Sequence, residues 1–442
     1  MKLDSTAPRR LALDAILAEK LDVHFKGVPQ SVLGRPVGEI GHAGLNVLRG
    51  DCLLPVAVLK DSAIDNNGAW MRGFLGMTGA RIAPHGKTSM APQLFDRQLR
   101  DGAWGLTAAT VSQVRIYRRH GASRILYANQ LVGDAEIDYI LDELRADEDF
   151  DFYCLVDSAA CLRRLQARLA LRPSQQPVQV LLEVGVPNGR TGVRTVEEGL
   201  VLGRAIRDAG AGISLRGIEA FEGVFSGYDH ARLEVAVAGL LGMMAEVAQA
   251  GMDEQWFGSG DVILTAGGSA FFDMAANWLA AADLGRRAVI VLRSGCYLTH
   301  DSKHYEHYAR RIRERMPQVR ALGPGLRPAL EIVAQVQSVP EAGRAIAAFG
   351  KRDASFDIDL PVPLWWYRPG MHSKPQTLAG QVAVQSLNDQ HAFLATGQDA
   401  DLQVGDVMGF GVSHPCTTFD KWPLLMMVDD DYRVVSAVRT FF

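Results

Sequence analysis

In Gly79-Ala80-Arg81-Ile82-Ala83-Pro84-His85-Gly86-Lys87-Thr88 a short apolar run reads as a β-strand, ended by Pro84 and Gly86. Lys87 stands just past its end, between a histidine and a threonine. A helical stretch follows from Met90 to about Asp101. From here the chain alternates. Further apolar runs are Trp104–Ala108, Arg124–Ala128, Phe152–Val156, Val178–Val184, Leu215–Phe221, Val262–Ala266 and Ala288–Leu292. Between them lie segments of helical spacing, such as Val196–Ala209 and Ala231–Ala250. Near-continuous apolar strands imply burial on both faces, hence a parallel sheet. Eight strand–helix units in roughly 240 residues predict an α/β fold of the (β/α)8 TIM-barrel type. An open doubly wound sheet is the alternative.

Outside this region the pattern changes. After about Ala321, prolines at 324, 328, 361, 363, 369 and 375 punctuate short strand-like runs, including Val333–Val339, Asp406–Gly411 and Tyr432–Val438. These predict a smaller, mostly β domain at 323–442, after a barrel at 53–322. Residues 1–52 form an N-terminal extension that partly packs with the β domain. Arg10–Leu21 has helical spacing, Leu53–Lys60 reads as a strand, and Asp61 caps a helix to about Gly76.

A chain of 442 residues, 48% apolar and 22% charged, has the balance of a globular enzyme. A net charge of -4 argues against nucleic-acid or membrane-surface partners. Five cysteines, at 52, 154, 161, 296 and 416, form no C-x-x-C pair and no regular frame, so a reducing, cytoplasmic setting is expected. The first eleven residues lack a signal peptide's apolar core, and with no run of about 18 apolar residues no membrane span is expected.

In such a barrel the chemistry belongs at the strands' C-terminal ends. Lys87 lies there, suited to imine formation if partly desolvated, though a solvated loop lysine is the plain alternative. Gly267-Gly268-Ser269 and Ser294-Gly295-Cys296 follow the seventh and eighth strands, where backbone N–H groups can cradle a phosphate; ordinary glycine turns would look the same. Arg190, between two glycines, either reaches an anionic group or ring nitrogen, or is a surface arginine opening a helix. In His414-Pro415-Cys416 the i and i+2 side chains share one side of an extended segment and suit zinc or another borderline-soft ion. A chance pairing stays open, and water or substrate would complete the shell. His300, His304 and His307 read as solvated helix histidines, Glu183 and Asp261 as structural, and Trp365-Trp366 as core or interface. His372 is unplaced, and His391 is a possible neighbour of the metal pair.

Taken in order, these stretches resemble a known family. Pro84-His85-Gly86-Lys87-Thr88, Glu183–Val193, Ala266–Ser269, Arg293–Tyr297 and His414–Thr418 are similar to motifs of the D-threonine aldolase / D-serine dehydratase family. Its members are fold-type III pyridoxal phosphate enzymes related to alanine racemase. The resemblance implies that Lys87 holds the cofactor and acts as catalytic base. His85, Arg190, Gly267, Gly268, Ser269, Gly295, Cys296 and Tyr297 would surround it. His414 and Cys416 would bind a divalent metal, zinc or manganese. It implies a homodimer and a lyase that removes water from a D-3-hydroxy amino acid such as D-serine or 3-hydroxyaspartate, releasing ammonia. Aldol cleavage of a D-threonine-type substrate is the alternative, with a racemase or a non-catalytic cofactor binder further off. The chain departs from the family pattern at Ile82-Ala83, Ser89-Met90, Phe221, Glu222 and Gly223, all of which border the expected cofactor.

Overall fold

The computed structural model describes residues 10–225, 230–282, 284–285, 287–378, 380–397 and 400–442. The chain packs into two units. One holds Arg72–Lys87 and Gly102–Gly295; the other holds 10–71, Thr88–Asp101 and Cys296–Phe442. These bounds differ from the expected cuts at 53 and 322. The strand read at Leu53–Lys60, here β1 (Val56–Lys60), does not enter the barrel.

The first unit is the parallel barrel. Its strands are β2 (Arg81–Ile82), β3 (Leu106–Ala108), β4 (Arg124–Gln130), β5 (Asp151–Val156), β6 (Val178–Val184), β7 (Ile213–Ala220), β8 (Val262–Ala266) and β9 (Ala288–Leu292). They run β2-β9-β8-β7-β6-β5-β4-β3, all parallel. A bridge from His85 to Thr107 joins the two ends, so the sheet closes. Ala83, Leu126, Tyr153, Leu155, Leu181, Ile263 and Val291 fill its interior, the layered filling such barrels require. Thr110, Ser158 and Thr195 cap the helices at Val111–Arg119, Ala159–Leu171 and Val196–Arg207, each accepting from the N–H three residues on. A cap of this kind contributes about 1 kcal/mol and fixes where each loop ends. Contrary to the expected absence of a long apolar run, Arg232–Asp253 is long and apolar enough to cross a membrane. It is a barrel helix: Val237, Leu241, Met244, Val247 and Ala248 are fully buried.

The second unit is built on a mostly antiparallel sheet. After β1 come β10 (Leu330–Glu341), β11 (Arg344–Ala347), β12 (Val362–Tyr367), β13 (Gln376–Thr377), β14 (Val382–Leu387), β15 (Ala392–Thr396), β16 (Val407–Gly411), β17 (Leu424–Val428) and β18 (Val434–Arg439). The main order is β13-β12-β16-β10-β1-β17-β18, with β11, β15 and β14 extending from β10. β1 lies between β10 (antiparallel) and β17 (parallel). Leu21, Phe25, Val32, Val37, Ile40 and Val47 pack with Val333, Val407, Leu424 and Met426 in one core. Only Asp14–Ala18 of the Arg10–Leu21 stretch is helical. Trp365 is core, as one reading had it: its ring meets Tyr432 edge-on, and both donate to the buried Glu331 carboxylate.

Candidate functional site

The barrel mouth gathers charge. Lys87 lies in the turn Gly86–Thr88, exposed rather than desolvated, and its N–H donates to His85 Nδ1 at 3.4 Å. Burial pushes the His85 imidazole well below its usual pKa, helped by the cations Lys87, Arg293 and Arg190, so the ring is neutral. Arg293 is buried and fully engaged. It donates to the carbonyl of Ala220 at 2.9 Å, to the carbonyl and hydroxyl of Thr265 at 3.0 and 2.9 Å, and to Glu219 at 2.5 Å. Glu219 is 1% exposed, and burial pushes its carboxyl up to about 8 despite Arg293. Its second oxygen, Oε2, has no hydrogen-bond partner. An orphaned acceptor this deep costs ~1–3 kcal/mol, and it fits a ligand's ring N–H. Glu183 is held by Gln130 and Thr191, and burial raises its pKa.

The loop after β8 makes a small anion cradle. Gly267 has φ +86°, and a Cβ there would sit 2.7 Å from the Leu292 side chain. A Cβ on Gly268 would sit 3.0 Å from Glu222 Oε1. The positive φ makes position 267 a glycine site, and a side chain at 268 would press on the Glu222 carboxylate. The cradle's N–H groups point at a carboxylate: Gly267 N–H donates to Glu222 Oε2 at 3.1 Å, and Gly268 N–H to Glu222 Oε1. The loop after β9 ties in through Ser294, whose hydroxyl donates to the Gly267 carbonyl at 3.1 Å. Ser269 and Gly295 lie half-buried in these two loops. Arg190 is exposed and stacks on Phe221 at 4.9 Å.

In the second unit, Cys296, Cys416 and Thr88 form a triangle. The sulfurs are 3.5 Å apart, and the Thr88 hydroxyl is 3.6 Å from Cys296 and 3.5 Å from Cys416. Cys296, expected around a phosphate, instead faces Cys416; Tyr297 beside it is buried. His414 Nδ1 is 2.6 Å from Asp357 Oδ2, and Thr417 donates to Asp357 Oδ1 at 2.8 Å. Hydrogen bonds from Cys296, His414 and Thr88 hold the Cys416 thiol well below its ordinary pKa. The imidazole of His414 is raised to about 9: hydrogen bonding and charge from Cys416 and Asp357 overcome the opposing burial. An Asp that fixes one ring nitrogen leaves the other for a thiolate or a metal. A soft thiolate beside an oriented imidazole is a donor set that suits zinc. Among the described residues no group of three His, Cys, Asp or Glu is arranged to hold an ion. An ion here would thus take further ligands from water or substrate.

Residues that sequence reasoning did not place are Asp357, Thr88, Glu219 and the buried role of Glu222. His391 is exposed, with no contact to His414 among those described, and His372 packs against Trp366 and Tyr367. His300 is no solvated helix residue: it precedes the helix His304–Arg315, is buried, and pairs with Glu306 at 3.2 Å. Burial also lowers the His304 pKa.

Comparison with known proteins agrees with the sequence resemblance. Residues 329–428 match the family described as "Putative serine dehydratase domain". The chain is 27% identical over 174 residues to D-threonine aldolase of Arthrobacter sp, covering 39% of this chain and 44% of that protein. It is 28% identical over 158 residues to D-threo-3-hydroxyaspartate dehydratase of Delftia sp. (strain HT23), covering 35% and 40%. The matches thus span less than half of either curated relative. The crystal structure of D-threonine aldolase from Filomicrobium marinum has the same fold, with a TM-score of 0.69, 19% identity, and 90% of this chain and 97% of that one covered.

Proposed function

For a chain whose residues 329–428 match the family described as "Putative serine dehydratase domain", we propose a pyridoxal phosphate- and metal-dependent lyase. Its substrate is a D-3-hydroxy amino acid, from which it eliminates water; the product hydrolyses to a 2-oxo acid and ammonia. One observation carries the reading. A single barrel mouth presents an exposed primary amine at Lys87, an unmet buried oxygen on Glu219 and an N–H cradle at Gly267-Gly268. These match the aldehyde, ring nitrogen and phosphate of the cofactor. Bound there, the cofactor supplies an electron sink that acidifies the substrate Cα–H.

The chain's own groups do the rest. Lys87, once freed, takes the α-proton as general base. His85 stays neutral beside it, because burial and three cations disfavour a fourth positive charge. Arg293 orients Glu219 through a buried ion pair braced by the ends of β7 and β8. Asp357 holds His414, and Thr88 and Cys296 hold Cys416, as the ligand pair of the proposed zinc or manganese site. An ion there would polarise the leaving β-hydroxyl.

The test is the visible, borohydride-fixable band of lysine-bound cofactor in purified protein, with ammonia release from D-serine and D-threo-3-hydroxyaspartate. Lys87→Ala is expected to abolish both. A reducible adduct that persists in that variant refutes the assignment. Glycine and an aldehyde from D-threonine, without ammonia, would decide for the aldolase reading favoured by the Arthrobacter relative. A homodimer belongs to the same proposal and is checked by light scattering.

A further inference from the structure

The anion cradle at Gly267-Gly268 is already filled, and by the chain itself. Glu222 is 1% exposed, and both its carboxylate oxygens accept cradle N–H groups. It lies in the turn Glu222–Val224, directly after β7 and Phe221. A backbone N–H has one proton to give, so a phosphate and this carboxylate cannot both take the same pair. Nor can the two anions share the pocket uncompensated, since like charges at contact distance repel strongly away from water.

We propose that Glu222 is an internal competitor for the cofactor phosphate. A phosphate monoester enters the cradle only by displacing the carboxylate, and Glu222 thereby sets how far the protein prefers phosphorylated over unphosphorylated pyridoxal. Arg190, stacked on the adjacent Phe221 ring, offers the freed carboxylate a partner. Gly268 suits either occupant, because any side chain there would press on the anion's oxygen. This inference rests on the cofactor reading given above, but its geometry stands apart from it. The competition is for two N–H groups, whatever carries the phosphate.

The experiment uses the cofactor-free full-length protein with Glu222→Gln and Glu222→Gly. Gln keeps the side chain's bulk if the glycine variant folds poorly. Inorganic phosphate is the first probe, read as thermal stabilisation. Both variants are expected to gain a phosphate-dependent rise in Tm that the wild type lacks. Pyridoxal phosphate is the second, read as Kd from the lysine-bound band. It is expected to bind the variants about tenfold tighter, the loss of one competing charged contact. Pyridoxal without phosphate is expected to bind all three alike. Equal phosphate stabilisation of wild type and variants, or an equal gain for pyridoxal, overturns the inference. A missing band in all three proteins would instead sink the cofactor reading, with the phosphate measurement still judging Glu222 by itself.

Discussion

Two buried charge clusters, one in each unit, resolve the same conflict in opposite directions. At the barrel mouth burial prevails. Glu219 has one guanidinium partner and one unmet oxygen, and its carboxyl is pushed up to about 8. In the sulfur corner partners prevail. Cys416 is reached by a thiol, a hydroxyl and an imidazole, and stays well below the usual thiol range although it too is desolvated. The count of donors aimed at the charge decides the outcome, because each charge-assisted hydrogen bond offsets part of the desolvation cost. A half-satisfied carboxyl leaves one oxygen for a ligand's polar group, whereas a fully supplied thiol is eased towards the thiolate form that binds a cation.

The contrast is most exposed to removal of the ligands proposed for an ion. His414→Ala is expected to lose ~4 kcal/mol of barrier lowering, about a thousandfold in turnover. The lysine-bound cofactor band should survive. Equal turnover with and without chelator in the wild type would break this half of the comparison. Asp357→Asn keeps every ligand and loses only the carboxylate that orients His414. Metal affinity, followed with a competing chelator, should fall ~10–100-fold. An unchanged affinity would mean that the 2.6 Å contact is structural only.

The barrel side is tested by pH. The Glu219 carboxyl, ordinarily near 4.5, is raised to about 8 in the fold, so the folded state binds the extra proton between those values. Stability must therefore fall as pH rises across that window. Glu219→Gln should flatten this slope in urea unfolding run at several pH values; an identical slope in both proteins would show that the carboxylate is already charged. The smallest effect is expected of Thr88→Val. It removes one hydroxyl from Cys416, worth ~1 kcal/mol, and should move the alkylation midpoint of Cys416 in metal-free protein modestly upward.

The barrel was legible because its strands are buried on both faces and write apolar runs into the sequence. The apolar runs Val262–Ala266 and Ala288–Leu292 coincide with strands β8 and β9 to the residue. The strand at Val56–Lys60 carries the same signal, yet it pairs with β10 and β17. An apolar run records that it is buried, not which sheet buries it. The glycine loops and the His414/Cys416 pair were visible because their spacing is local. Asp357 reaches His414 across 57 positions and Thr88 reaches Cys416 across 328, so no local pattern could join them. Glu222 stands out in the sequence as an oddity of the pattern, but its hold on Gly267 and Gly268 depends on how the loops after β7 and β8 meet.

The opening segment that supplies Leu21, Phe25, Val32, Val37, Ile40 and Val47 to the sheet's core has a practical consequence. It looks dispensable, being glycine-rich and built of short helical turns. Trimming the chain to begin near Leu53 would strip the oily lining from one side of the sheet around β1 and leave it wet. Such a shortened protein should aggregate on expression, even though every residue assigned here to chemistry would still be present.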